Sequence, residues 1–250
     1  MSRCWLTGAS SGIGAALAEQ LLEQGHQVAV GGRQAERLSP LAQRFPDQVL
    51  LAVGDLDDPH QVEQIAARIR QAWGGLDIAI LNAGTCEYLE PGHFDPALVE
   101  RVLRTNLLGT SHCLAAALPL LRTGRRPHLV VVGSSVTWLA LPRAGAYGAS
   151  KAALRYLVES LRIDLRSEGI DVTLVSPGFV DTPLTRRNDF PMPQMWTAAR
   201  AARYIVSRLP QRPLEISFPR GFILVLRLLG GLPARLRLAI GLRLARRQEG

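Results

Sequence analysis

The chain predicts an α/β fold, a single domain built on a doubly wound parallel sheet with helices on both faces. Three observations predict it. Short apolar runs alternate with amphipathic helical stretches from one end to the other. A glycine-rich turn joins the first run to the first helix. The length of 250 residues suits one large α/β domain.

Each element can be justified in order. Residues 4–6 are a short apolar strand ending in Thr7-Gly8. Ile13, Leu17 and Leu21 share one face of a helix over 13–23, stopped by Gly25. Residues 28–30 form a second strand closed by Gly31-Gly32, followed by a helix over 35–45 and a third strand over 49–53. Asp58-Pro59 reads as an N-cap with proline at the first helical position, opening a helix to residue 73. Residues 78–81 form the fourth strand. Asp95-Pro96 opens one long helix to residue 121. The fifth strand, 128–132, leads to a helix over 146–166 and a sixth strand over 171–175. A helix over 197–209 precedes residues 214–218, which fit a seventh strand.

Composition narrows the function classes. Hydrophobic residues at 47% and charged residues at 20% exclude a disordered chain. Three scattered cysteines (Cys4, Cys86, Cys113) make neither a disulfide framework nor a zinc knuckle and suit a reducing, cytoplasmic setting. Met1 runs almost directly into the first strand, so no secretory or transit peptide is expected. Of the net charge of +8, residues 220–250 carry +6, from seven Arg and one Glu. The body is therefore near neutral, which argues against nucleic acid as the partner. Lys151 is the one lysine beside 28 arginines. Its position invites chemistry that a guanidinium cannot do, since an ammonium has a tunable pKa on a flexible stem.

In a parallel sheet, ligands bind at the carboxyl ends of the strands. The first such loop reads Thr7-Gly8-Ala9-Ser10-Ser11-Gly12-Ile13-Gly14. Glycines there let the backbone approach a pyrophosphate, and the helix N-terminus offers free N–H groups to it. A plain tight turn would look similar, but not in the first strand-to-helix connection of an alternating chain. With its Thr-Gly-x-x-x-Gly-x-Gly spacing, the chain resembles the short-chain dehydrogenase/reductase family over roughly residues 3–218.

That resemblance implies a Rossmann-type, NAD(P)-binding oxidoreductase and assigns further positions. Asp55 and Leu56 match the family's adenine contact, although a capping or turn role fits Asp55 equally well. Asn82-Ala83-Gly84 matches the family's Asn-Ala-Gly at the end of the fourth strand. Pro177 and Gly178, with Val180 and Thr182 beyond them, match the segment that holds the nicotinamide carboxamide. At the end of the second strand an acid would favour NAD, but Gly32-Arg33 stands there. A guanidinium pairs bidentately with phosphate, so NADP is implied. Ser11 occupies a place where many NADP-dependent relatives carry a base, which points to a modest preference.

Tyr147 and Lys151 are four residues apart and share a helix face. A neighbouring ammonium favours the phenolate and should draw the Tyr147 pKa down from near 10. Ser134, at the end of the fifth strand, can donate to a substrate oxygen as charge develops there. In the family, Asn, Ser, Tyr and Lys form a catalytic tetrad, here Asn106, Ser134, Tyr147 and Lys151. By resemblance, Tyr147 is the acid–base, Ser134 orients the substrate, Lys151 also binds the nicotinamide ribose and Asn106 holds a relay water.

A hydrolase is excluded by inventory: neither serine pair lies in a Gly-x-Ser-x-Gly elbow. The five histidines are scattered without metal-ligand spacing. Trp138, Leu139 and Leu141 lie between Ser134 and Tyr147, and an irregular stretch near 179–196 matches the family's substrate lid. Their apolar content suits a hydrophobic carbonyl or alcohol, and suits packing against the domain as well. Residues 1–219 thus read as the cofactor-binding catalytic domain, and 220–250 as a basic, apolar extension. The extension's apolar run over 222–229 is too short to cross a bilayer. Membrane-surface docking, a sheet edge, the lid and a subunit interface all remain open as its partner. The leading expectation is an NADP-dependent, homo-oligomeric oxidoreductase acting on a small molecule. An epimerase or dehydratase using the same tyrosine, or a membrane-docked nucleotide sensor without turnover, are the rivals.

Overall fold

The computed structural model describes residues 1–246. Seven parallel strands form the central sheet in the order β3-β2-β1-β4-β5-β6-β9. They are β1 (Arg3–Leu6), β2 (Gln27–Gly32), β3 (Val49–Val53), β4 (Ile78–Leu81), β5 (His128–Val132), β6 (Asp171–Pro177) and β9 (Glu215–Phe218). The chain winds outward from β1 to β3, then returns to lay β4 on the other side of β1. The reversal between β1 and β4 opens a crevice at their carboxyl ends, where such sheets bind ligands.

Strand alternation sorts the core into two layers. Trp5, Ala29 and Ala79 face α3 (Pro59–Trp73), α5 (Thr110–Leu121) and α6 (Gly145–Asp164). Cys4, Leu6, Val28 and Ile80 face α1 (Gly12–Glu23) and α7 (Ala198–Arg208). The caps are those expected. The Asp58 side chain accepts from the His60 amide at 2.9 Å, and Gly74 closes α3 in the left-handed region at φ 74°. Asp95 caps α4 (Pro96–Leu103) in the same way, through the Ala97 amide.

Three expectations change. The helix over 35–45 divides into a 3₁₀ turn, Ala35–Arg37, and α2 (Ser39–Arg44), because Leu38 turns into the core and Pro40 starts a new helix. The long helix over 95–121 is interrupted by a π-helical turn, Arg104–Gly109, between α4 and α5. Asn106, in that turn, is drawn out of register by its hydrogen bonds to other segments. The stretch from 179 to 196 is not wholly irregular: β7 (Val180–Asp181) pairs with β8 (Trp196–Thr197), so the lid is pinned at its base.

The extension folds as two helices, α8 (Arg220–Gly230) and α9 (Ala234–Arg246). α8 packs on the domain through the buried Ile223 and Leu226. Among the described residues no helix is long and apolar enough to cross a membrane.

Candidate active site

One cavity of about 690 Å³ lies at the carboxyl ends of the strands. The glycine-rich loop forms its floor. Gly8 and Gly12 sit in the left-handed region at φ 68° and 56°. At Gly14 a Cβ would fall 2.0 Å from the Gly8 carbonyl oxygen, so no larger residue fits there. Ser11 precedes α1 without capping it, and no acid occupies the first turn. The amides at the start of α1 are therefore left without a side-chain partner at the cavity floor, as an anion such as a pyrophosphate requires. The residues fit a dinucleotide.

Every cofactor-binding residue expected from the sequence lines this cavity except Thr7. Thr7 is buried beneath the loop instead. Its Oγ1 accepts from the amides of Asn82 and Ala83 at 2.9 and 3.0 Å, tying the end of β1 to the end of β4. The Asn82 side chain returns the tie by donating to the carbonyls of Thr7 and Gly8 at 3.1 and 3.3 Å. Asp55 lines the cavity and also makes a turn, accepting from the Asp57 amide at 3.1 Å. Arg33 is joined at the cavity by Arg37, which the sequence reading missed. The sequence signal was present, since Arg37 stands one 3₁₀ turn beyond Arg33. Neither has a carboxylate within salt-bridge distance among the described residues.

Ser134, Tyr147 and Lys151 converge on the same cavity from the end of β5 and the first turns of α6. The Lys151 Nζ donates to the Val132 carbonyl at 3.1 Å and lies 5.9 Å from the centre of the Tyr147 ring. Burial pushes its pKa down to about 8. The Ser134 hydroxyl is the hydrogen-bond partner that favours the Tyr147 phenolate. Yet burial is the larger effect and holds the phenol well above its ordinary value. The expectation that Lys151 brings Tyr147 down toward neutrality is therefore corrected: desolvation of the phenol wins. A phenol that keeps its proton at neutral pH is the form able to donate to a carbonyl oxygen.

Asn106 does not line the cavity. It is fully buried, accepting from the Thr85 amide at 2.7 Å and donating to the Thr85 carbonyl and the Ser150 hydroxyl, both at 2.9 Å. Ser150 in turn donates to the Tyr147 carbonyl at 2.7 Å. Asn106 thus joins the loop after β4 to the helix that carries Tyr147 and Lys151.

These observations meet in a comparison with known sequences. The short chain dehydrogenase family model matches residues 3–191. The chain is a short-chain dehydrogenase. Its relatives include an uncharacterized oxidoreductase of Myxococcus xanthus, 36% identical over 220 residues and covering 86% of each chain. An uncharacterized oxidoreductase of Mycobacterium tuberculosis is 31% identical over 221 residues, covering 86% of this chain and 87% of its own. Among solved structures, a short-chain dehydrogenase from Streptomyces avermitilis superposes with a TM-score of 0.83 at 25% identity, over 98% of this chain and 99% of that one. An alcohol dehydrogenase from Thermococcus sibiricus, complexed with 5-hydroxy-NADP, gives 0.78 at 26% identity, over 87% and 96%.

This short-chain dehydrogenase also places Cys86 and Tyr88 beside its catalytic pair, and the sequence reading passed over both. Cys86 is an electrostatic neighbour of Tyr147 and Lys151, and burial pushes its own thiol up. Tyr88 hydrogen-bonds Cys86 and Asn188, and its ring meets Phe190 edge-on at 5.4 Å. Phe190 meets Phe179 at 6.2 Å. An aromatic wall drawn from the loop after β4 and from the lid therefore stands near Tyr147. The only signal in the sequence was closeness to Asn82-Ala83-Gly84, which carries no information about side-chain direction.

Proposed function

We propose that this short-chain dehydrogenase is NADP-dependent and interconverts an apolar carbonyl compound and its alcohol. The observation that carries the reading is the convergence of Ser134, Tyr147 and Lys151 on the cavity floored by the uncapped start of α1. When bound, the nicotinamide supplies or accepts the hydride. Ser134 donates to the substrate oxygen and fixes its position. Tyr147 delivers its proton to that oxygen during reduction and recovers it during oxidation. Lys151 binds the nicotinamide ribose and adds positive charge as the phenolate forms. Asn106 is a positioning residue, holding the loop after β4 against α6 rather than meeting substrate itself.

Arg33 and Arg37 support NADP, because two guanidiniums without carboxylate partners suit a ribose 2′-phosphate. Tyr88, Phe179 and Phe190 support an apolar substrate. Tyr156 and Ile163, exposed on α6, support association of copies of the chain. Three free thiols suit a reducing, cytoplasmic setting.

The test is consumption of NADPH by the purified protein against a panel of aldehydes, ketones and quinones, run beside Tyr147→Phe. Turnover that depends on Tyr147 is expected. A Tyr147→Phe variant as active as the wild type would overturn the assignment.

A further inference from the structure

The two last helices carry charge of one sign and leave leucines uncovered. The inner side of α8 is fully used. Ile223 and Leu226 are buried, and the Phe222 ring lies 5.6 Å from Phe179. Gly230 approaches so closely that a Cβ there would stand 2.0 Å from the Trp138 carbonyl oxygen. Arg227 pairs with Glu215 at 2.9 Å and covers the Trp138 ring at 4.3 Å. These contacts fix which side of α8 faces outward. Leu224 and Leu228, one turn apart, are 59% and 64% exposed there, with Val225 beside them.

α9 goes further. None of its described side chains is buried, and Leu236, Leu238 and Leu242 are all exposed. A helix of 13 residues is marginal in water unless a packed face holds it. Its stabilising surface must come from outside the chain.

The charge says which surface. Between residues 216 and 246 there are six arginines and no Asp or Glu. Arg220, Arg235, Arg237 and Arg243 have no carboxylate partner among the described residues. The positive region continues beyond α8. Arg220 lines an open hollow of about 640 Å³ together with Arg200 and Arg208, over the rings of Trp196 and Tyr204. Neither Arg200 nor Arg208 has a carboxylate partner among the described residues. A second copy of the chain is a poor cover, because a twofold interface would set this all-arginine patch against itself.

We propose that α8 and α9 lie on an anionic bilayer surface, with Leu224, Leu228 and the α9 leucines in the interface and the arginines among the lipid phosphates. Long arginine side chains suit this, since their stems lie along apolar surface while the heads reach the phosphates. Phe222 connects α8 to Phe179 and so to the lid, which puts the bilayer next to the substrate side of the domain. The docking rests on α8 and α9 alone and does not depend on the cofactor or substrate assigned above.

The experiment is co-sedimentation of the full chain with vesicles of phosphatidylcholine, alone or mixed equally with phosphatidylglycerol, at low and high salt. The protein should pellet with the mixed vesicles at low salt, less at high salt, and little with phosphatidylcholine alone. Leu228→Glu should weaken binding by about tenfold, on the scale of one leucine leaving an apolar setting. Arg235→Gln should weaken it by about fivefold, as expected for one charge near an anionic surface. Both sites are exposed, so melting temperature and NADPH binding should stay unchanged. Full-length protein that remains in solution with mixed vesicles at low salt would overturn the proposal. So would a Leu228→Glu variant that splits an oligomer while binding vesicles as the wild type does, which would hand the face to a second copy.

Discussion

Arg143 holds Asp189 by both carboxylate oxygens: its Nη1 donates to them at 3.0 and 2.8 Å. Asp189 belongs to the lid, and Arg143 to the loop that leads into α6 and Tyr147. The same guanidinium donates to Glu90 at 3.1 Å from Nη2 and lies 6.0 Å from the centre of the Tyr88 ring. One side chain thus joins the lid, the loop after β4 and the approach to the catalytic helix. Asp189 and Glu90 are largely exposed, so each pair is weak and the lid can open.

For that reason Arg143→Ala should act on substrate binding rather than on folding. KM should rise by about two- to fivefold, the scale of exposed ion pairs of up to about 1 kcal/mol. The melting temperature should move by no more than about 2–4 °C. Steady-state kinetics beside a melting curve reads both, and an unchanged KM would show that the pair does not hold the lid.

Tyr147→Phe keeps the ring and removes the proton. Turnover should fall by about 10²–10⁴-fold, the usual contribution of a general acid–base. NADPH binding, followed by titration, should stay close to that of the wild type.

Lys151 gives the reaction a pH dependence of known sign. Its ammonium, with a pKa lowered by burial to about 8, is lost as pH rises through that value, so reductase kcat/KM should fall there. Stability should respond oppositely. Between about 8 and the unfolded value near 10.4, the unfolded chain binds the extra proton, so this group's contribution rises with pH. Activity that falls while the melting temperature holds would separate titration of the site from unfolding.

Arg33→Ala should weaken NADPH by roughly ten- to a hundredfold, the cost of losing a charge-assisted contact of about 1.5–3 kcal/mol. NADH should be barely affected. Arg37→Ala should act in the same direction. Equal affinity of the wild type for the two cofactors, measured by fluorescence titration, would reduce both arginines to surface residues.

His128 should set part of the acid limit of stability. It is buried in β5, 2.8 Å from the Thr173 hydroxyl, and burial lowers its pKa to about 4. Its unfolded value is near 6.5, so its stabilising contribution is complete above that pH and is lost as pH falls toward 4. A shift of this size corresponds to about 3 kcal/mol. Melting curves from pH 7 to 4 should be flatter for His128→Gln than for the wild type.

Most of the architecture was legible along the chain. Apolar period, Asp58-Pro59, Asp95-Pro96 and the glycine spacing are local features, and local backbone chemistry determines strands, caps and the phosphate-binding turn. Spacing also put Tyr147 and Lys151 on one face, because a helix converts sequence distance into direction. What lay outside that reach was decided between segments distant in sequence. Thr7 looked like a cofactor ligand and became a tie between β1 and β4, since only the sheet order brings Asn82 to its hydroxyl. Asn106 broke a long helix because Thr85 and Ser150 compete for its side chain. The acid–base state of Tyr147 was set by burial, which depends on everything packed around it, and it outweighed the ammonium four residues away. The sequence by itself determined the elements and the candidate chemistry. The tertiary structure alone decided desolvation, the lid's hold on Arg143 and the outward face of α8, because each depends on atoms that meet only in three dimensions.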